Sequence, residues 1–173
     1  MRRLFIADLH LHPARPKHSR ALIDFCQQRI NVDDELYILG DLFEAWIGDD
    51  VGIVTYADVI ACFKQLTSSG TQVFFMAGNR DFLIADEFCQ ATGIKILPDP
   101  TIISFDNQKT LLMHGDTLCT DDIEYQKFRS LVRDPHWQNQ FLSMTPALRM
   151  QQAAHYRQQS KEMTANKSND IMD

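Results

Sequence analysis

Asp8 and His10 stand two residues apart directly after the apolar run RLFIA, and Asp41 follows the glycine that ends ELYILG. Asn79, Arg80 and Asp81 follow Gly78 in TQVFFMAGNRD, and His114 closes KTLLMH ahead of Gly115 and Asp116. Carboxylates, imidazoles and an amide carbonyl, with no thiolate among them, suit Mn2+, Mg2+ or Fe2+ better than a structural zinc. The expectation is two Mn2+ ions, with Mg2+ or Fe2+ as alternatives. Gly40 lets the backbone approach closely, so the two oxygens of Asp41 could bridge ions about 3.5–4 Å apart, the spacing of two-metal phosphoryl hydrolases. Singly, each residue has a plainer use: Asp8, Asp41 and Asn79 as helix caps, His10 and His114 as ordinary loop histidines. Capping explains neither the imidazoles nor the return of the pattern at successive strand ends. His12 lies deeper in its loop, before Pro13, and is read as a loop residue.

These side chains can meet only if the elements before them are strands of one parallel sheet. RLFIA reads as a strand buried on both faces, and Ala21, Leu22, Phe25, Cys26 and Ile30 follow helical spacing after Ser19 as N-cap. ELYILGD is a second strand, VGIVTYADVIACFKQLTSSG one helix closed by Gly70, and TQVFFM a third strand. The βαβαβ pattern predicts parallel strands with right-handed crossovers, and in such sheets ligands bind beyond the carboxyl ends of the strands. After the short helix ADEFCQATG, TIISF, the turn DNQ and KTLLMHGD predict a hairpin whose second strand runs to His114. From Asp121 everything reads as helix: DDIEYQKFRSLVR, HWQNQFLSM after Pro135, and a run from Pro146 towards Lys167. Most of Phe128, Leu131, Val132, Trp137, Phe141, Leu142, Met144 and Leu148 are expected to pack that appendage's own core. Trp46 fits either the body's core or the wall of a binding chamber.

Composition sets outer limits. The 173 residues are 45% hydrophobic and 23% charged, which fits one globular body with a single core. No apolar stretch approaches the roughly 18 residues of a membrane span, and MRRLFIADLH lacks a signal peptide's apolar centre, so a cytoplasmic location is expected. Cys26, Cys62, Cys89 and Cys119 form no C-x-x-C pair and read as small hydrophobes in a reducing compartment. Cys119 lies near the candidate site, but nothing beside it in sequence would make it a nucleophile. The net charge of −6 conceals an asymmetry: between Ile123 and Lys167 seven Lys or Arg face three acids, leaving the remainder at −10. A basic, apolar-rich segment suits an anionic substrate with a greasy part, or an anionic membrane surface, as well as a plain solvated helix face.

DLH, GD, GNRD and HGD in this order resemble the calcineurin-like metallophosphoesterases. The longer phrases LFIADLHL, LYILGDLFEAWIGDD, GNRDFL, MHGDTLCTDD and SNDIMD are similar to the UDP-2,3-diacylglucosamine diphosphatase family within them. The resemblance implies an α/β metallophosphoesterase sandwich, incomplete here, with a helical lid insertion: body at 1–120, lid at 121–167, and the start of a return to the body at 168–173. It implies that Asp8 and His10 hold one metal, Asp41 bridges, and Asn79 and His114 hold the other. Substrate contacts would fall on Asn79, Arg80, Asp122, Ser160, Thr164 and Lys167, with Tyr125 and Arg157 as further candidates. Arg157, Ser160, Thr164 and Lys167 step by three or four residues and so share a helix face.

The implied reaction is hydrolysis of the diphosphate of UDP-2,3-diacylglucosamine to UMP and 2,3-diacylglucosamine 1-phosphate by two-metal-activated hydroxide. It would take place on the cytoplasmic face of the inner membrane, with the chain bound peripherally and no nucleic-acid or protein partner. Wider relatives read GNHD where this chain has Arg80, and arginine stabilises charge without donating a proton. That favours a leaving group able to depart as an anion, such as a phosphate monoester with a second pKa of about 6. The family continues past SNDIMD to a G-H-x-H motif, absent before Asp173, so one imidazole is expected to be missing from each metal shell. A truncated, weakly active chain that at most binds acylated sugar nucleotide is the alternative expectation.

Overall fold

The computed structural model describes residues 2–105 and 107–165, the last five by backbone alone. It divides into two compact units, Met1–His114 and Gly115–Asp173. In the first, β1 (Arg3–Ile6), β2 (Glu35–Leu39), β3 (Gln72–Met76) and β4 (Lys95–Leu97) form a parallel sheet in that order. The helices α1 (Pro16–Arg29), α2 (Asp49–Thr55), α3 (Ala57–Ser68) and α4 (Asp86–Thr92) fill the connections. An antiparallel hairpin, β5 (Thr101–Phe105) and β6 (Gln108–Leu112), follows.

Alternation along the strands produces two buried faces. Leu36 and Ile38 of β2 pair in register with Val73 and Phe75 of β3, all fully or almost fully buried, and the Phe75 ring meets Phe88 of α4 at 6.0 Å. The opposite face carries Tyr37, Leu39, Phe74 and Met76, which cluster with Ile103 and Leu112 of the hairpin. This is a layered α/β body with a second small sheet, as the strand pattern predicts. Trp46 belongs to its core: the indole is 3% exposed, packs on Phe43 and Phe88, and lies where any side chain at Gly52 would stand. Its Nε1 donates to Asp49, whose carboxylate also accepts the Ala85 and Phe88 amides and so ties α2 to the start of α4.

Several expectations give way to tertiary demands. Ser19 is a buried residue inside α1, which starts three residues earlier because Pro16 suits the first turn. The helix expected over 51–70 breaks at Tyr56, whose ring packs on Phe43 and whose hydroxyl donates to the Leu11 carbonyl. β1 ends the strand order, so Phe5 is 44% exposed rather than covered on both sides, though its ring stacks on Tyr37. β6 stops at Leu112, two residues before His114, and β4 is too short to leave a sequence signal.

The second unit holds a 3-10 turn (Asp116–Leu118), α5 (Ile123–Val132), α6 (Pro135–Leu142) and α7 (Pro146–Ala165). Asp122 caps α5 and Asp134 caps α6 through backbone amides. Most of the residues expected in its core are buried or half-buried, with Val132 and Phe141 buried and Phe128, Trp137 and Tyr156 in an aromatic cluster, whereas Leu131, Leu142 and Leu148 are exposed. Lys167 and residues 168–173, the expected return to the body, lie outside the described residues. No described helix is long and apolar enough to cross a membrane.

At the amino ends of β1 and β2, buried Asp34 accepts from the Arg2 and Asn31 amides and pairs with the Arg2 guanidinium at 2.6 Å. These donors hold its carboxyl well below the usual carboxylate range. A lowered folded pKa contributes stability above the unfolded value and loses it as pH falls. The difference in urea midpoint between the wild type and Asp34→Asn should therefore be full above about pH 5 and shrink below about pH 4, which denaturation across that range would measure.

Candidate metal centre

The candidate ligands leave the carboxyl ends of β1, β2 and β3 and the end of the hairpin. Beyond β1 the chain lies along the β2 loop: the Asp8, His10 and Leu11 amides donate to the carbonyls of Gly40, Asp41 and Leu42 at 2.9–3.1 Å. This pairing sets Asp8 (φ 56°), His10 (φ 47°) and Asp41 (φ 52°) in left-handed backbone, which side chains rarely adopt. Such strain gathers at functional sites held by their surroundings. None of Asp8, Asp41 or Asn79 caps a helix; the residues before α1, α2 and α4 are Arg15, Gly48 and Ala85.

Asp8, His10 and Asp41 bring one ligand atom each within 4.8 Å of one another. His10 Nε2 lies 3.9 Å from Asp8 Oδ1 and 3.9 Å from Asp41 Oδ2, whereas His114 Nε2 lies 3.8 Å from the other oxygen, Asp41 Oδ1. The two oxygens of Asp41 thus face two different imidazoles. An ion with bonds of about 2.1 Å keeps its ligand atoms within about 4.2 Å of one another, so these separations fit a divalent ion on each side. His114 Nδ1 is 2.9 Å from the Leu39 carbonyl, which can only accept, so Nδ1 is the donor of that bond and Nε2 is the ring nitrogen left facing Asp41. Asn79 sits between Gly78 and Arg80, both touching Asp41, and among the described residues its buried Oδ1 has no hydrogen-bond partner, nor has buried His10 Nδ1. A carbonyl oxygen and imidazoles directed this way, around carboxylates, are a donor set suited to hard and borderline divalent cations.

Electrostatics point the same way. Burial pushes the Asp41 carboxyl up, opposed by the Arg80 amide and the imidazoles of His114 and His10. Burial and the neighbouring Asp41 charge push Asp81 up to about 7, although amides of Gly78, Phe43 and Leu42 donate to it. Adjacent buried carboxylates of this kind are relieved by a cation between or beside them.

Asp81 is the residue the motif reading left without a role. Fully buried, it accepts from the amides of Gly78 (2.9 Å), Asp41 (3.3 Å), Leu42 (2.7 Å) and Phe43 (3.4 Å). Arg15 was also missed: its guanidinium bridges the His10 carbonyl and Glu44 across 29 residues of sequence, a separation that leaves no local signal. His12 is the loop residue expected, accepting the Ala14 amide through Nδ1. Cys119 is exposed in the second unit, where Asp122 serves α5 as its cap and the Tyr125 hydroxyl donates to Asp116. Arg157 and Ser160 lie on α7, and Thr164 is placed there by backbone.

Gly40 (φ +91°) is where sterics enforce this geometry: a Cβ there would meet His114 Nδ1 and come within 2.8 Å of the Gly78 Cα. Gly115 has a similar φ of +103° but open space around it. Gly40→Ala should lose about 1–3 kcal/mol of stability from overpacking and weaken Mn2+ binding about 10–100-fold. Gly115→Ala carries the backbone strain alone and should keep its Mn2+ affinity, as calorimetric titration of both variants would show.

The chain is similar to several known proteins. The chain is 44% identical to the UDP-2,3-diacylglucosamine hydrolase of Chromohalobacter salexigens over all 173 residues, 70% of that protein. It is 54% identical over 151 residues to the same-named protein of Xanthomonas campestris pv. campestris, and 51% identical over 150 residues to that of Xanthomonas oryzae pv. oryzae. Each of these two alignments covers 87% of this chain and 61% of the relative, so the chain spans between 61% and 70% of the length of these curated relatives. Among solved structures, a protein of unknown function from Aquifex aeolicus is 17% identical with a TM-score of 0.49, over 75% of this chain and 70% of that one. The calcineurin-like phosphoesterase family matches residues 1–169, a span that runs through every strand end bearing a candidate ligand, and the chain belongs to that family.

Proposed function

We propose that the chain hydrolyses the diphosphate bond of UDP-2,3-diacylglucosamine, with Asp8, His10, Asp41, Asn79 and His114 holding two divalent ions, Mn2+ first among them. The observation that carries this reading is the Asp41 carboxylate, whose two oxygens face His10 and His114 separately. The substrate is taken from the names of the relatives. When bound, the ions supply Lewis-acid polarisation of the phosphoryl oxygens and a water acidic enough to attack near neutral pH.

The chain's own residues orient the reaction. Asp41 and His114 are held by hydrogen bonds to the Arg80 amide and the Leu39 carbonyl, so their facing atoms keep their aim. Arg80 adds a fixed positive charge near Asp41 and stabilises phosphoryl charge without donating a proton. Attack on the UMP-side phosphorus forms a P–O bond to the water oxygen and breaks that phosphorus's bond to the bridging oxygen. The bridging oxygen leaves with 2,3-diacylglucosamine 1-phosphate, an anion that needs no proton at neutral pH.

Asp122, Ser160, Thr164 and Lys167 are proposed to contact the substrate from the second unit. Its exposed Leu131, Leu142, Leu148 and Met150, beside the excess of Lys and Arg between Ile123 and Lys167, support peripheral contact with an anionic inner-membrane surface. Part of that basic charge is already engaged, since Arg129 pairs with Asp116 and Lys127 with Glu124.

Hydrolysis in 18O water with Mn2+ present should place the label in UMP; label in the lipid phosphate overturns the assignment of the attacked phosphorus. Selective binding of the acylated diphosphate without turnover would instead favour a binding role. Arg80→Ala should lower kcat by about 10^2–10^3-fold, read from steady-state UMP release.

A further inference from the structure

We propose that Asp81 is a positioning residue that builds the metal cradle before any ion enters it. The two loops that must approach each other leave β2 and β3, and nothing in their sequences pairs them locally. Asp81 on the β3 loop accepts the amides of Asp41, Leu42 and Phe43 on the β2 loop, and of Gly78 on its own. Asp41 answers from the other side, taking the Arg80 amide on Oδ1 at 2.9 Å. Each carboxylate thus binds the backbone of the loop that carries the other. The clasp is complete without an ion.

Asp81 itself is fully buried, while Asp41 keeps Oδ2 directed towards His10 and Oδ1 within 3.8 Å of His114. Gly78 has no room for a side chain, since a Cβ there would strike the Asp41 carboxylate. The loops are therefore held at a separation that the Asp81 acceptors set and the glycine permits. An asparagine at this position keeps the shape but turns one acceptor into a donor facing backbone N–H groups. It would push the loops apart.

This inference rests on the metal-site reading given under Proposed function, and its test separates the two. Amide hydrogen exchange of the metal-free wild type should find Leu42 and Gly78 as protected as the β2 and β3 core; rapid exchange that slows only when Mn2+ is added would overturn the proposal. Asp81→Asn should bind Mn2+ at least tenfold more weakly with an unchanged far-ultraviolet circular dichroism spectrum, while Asp34→Asn, distant on the sheet, keeps wild-type affinity. Wild-type Mn2+ affinity in folded Asp81→Asn would also overturn it. Should Asp81→Asn fail to fold, exchange in the wild type decides alone. Absence of Mn2+ binding by the wild type would sink the metal-site reading and leave the exchange result to decide the role of Asp81.

Discussion

Everything chemical in this molecule depends on one contact: two loops leaving neighbouring parallel strands, β2 and β3, must touch. Parallel strands splay their following loops unless something joins them, and here the joint is made of carboxylate oxygens and backbone amides in a largely buried setting. Charge-assisted hydrogen bonds of this kind are the stronger class, and burial raises their strength and the cost of losing them together. Gly40 and Gly78 are the other half of the constraint, since a methyl group at either would occupy space already taken by a ligand residue.

The sheet below supplies rigidity rather than chemistry. Its middle strands are buried on both faces, by helices on one and by the β5–β6 hairpin on the other, so the strand ends that carry Asp41 and Asn79 are anchored in close packing. The β1 loop is held differently, through its backbone bonds to the β2 loop and the bridge from Arg15 to the His10 carbonyl. That tether is more exposed than the clasp, with the Arg15 side chain about half accessible.

Much of this was legible in the residues themselves. Apolar runs ending in Asp-x-His, Gly-Asp and Gly-Asn, with helical spacing between them, require a parallel sheet, and a parallel sheet brings its strand ends together. What stayed hidden were effects with no local signature. Tyr56 breaks a good helical pattern because its ring and hydroxyl are claimed by Phe43 and Leu11. Ser19 looks like a cap yet is buried one turn into a helix started by a proline. In HGD, neighbouring residues divide their duties: His114 faces Asp41, while Asp116 accepts from Tyr125 and Arg129 and fastens α5 to the 3-10 turn. Asp81 hid in plain view, because its partners are amides, whose positions no side-chain pattern reveals.

The left-handed backbone at Asp8, His10 and Asp41 carries a further meaning. A non-glycine residue held there costs roughly 1–2 kcal/mol, a steric cost that glycine in the same place avoids. Selection for stability alone would therefore drift towards glycine at the very positions where ligands are needed. Aspartate and histidine in those turns therefore mark stability that the fold gives up at the candidate site.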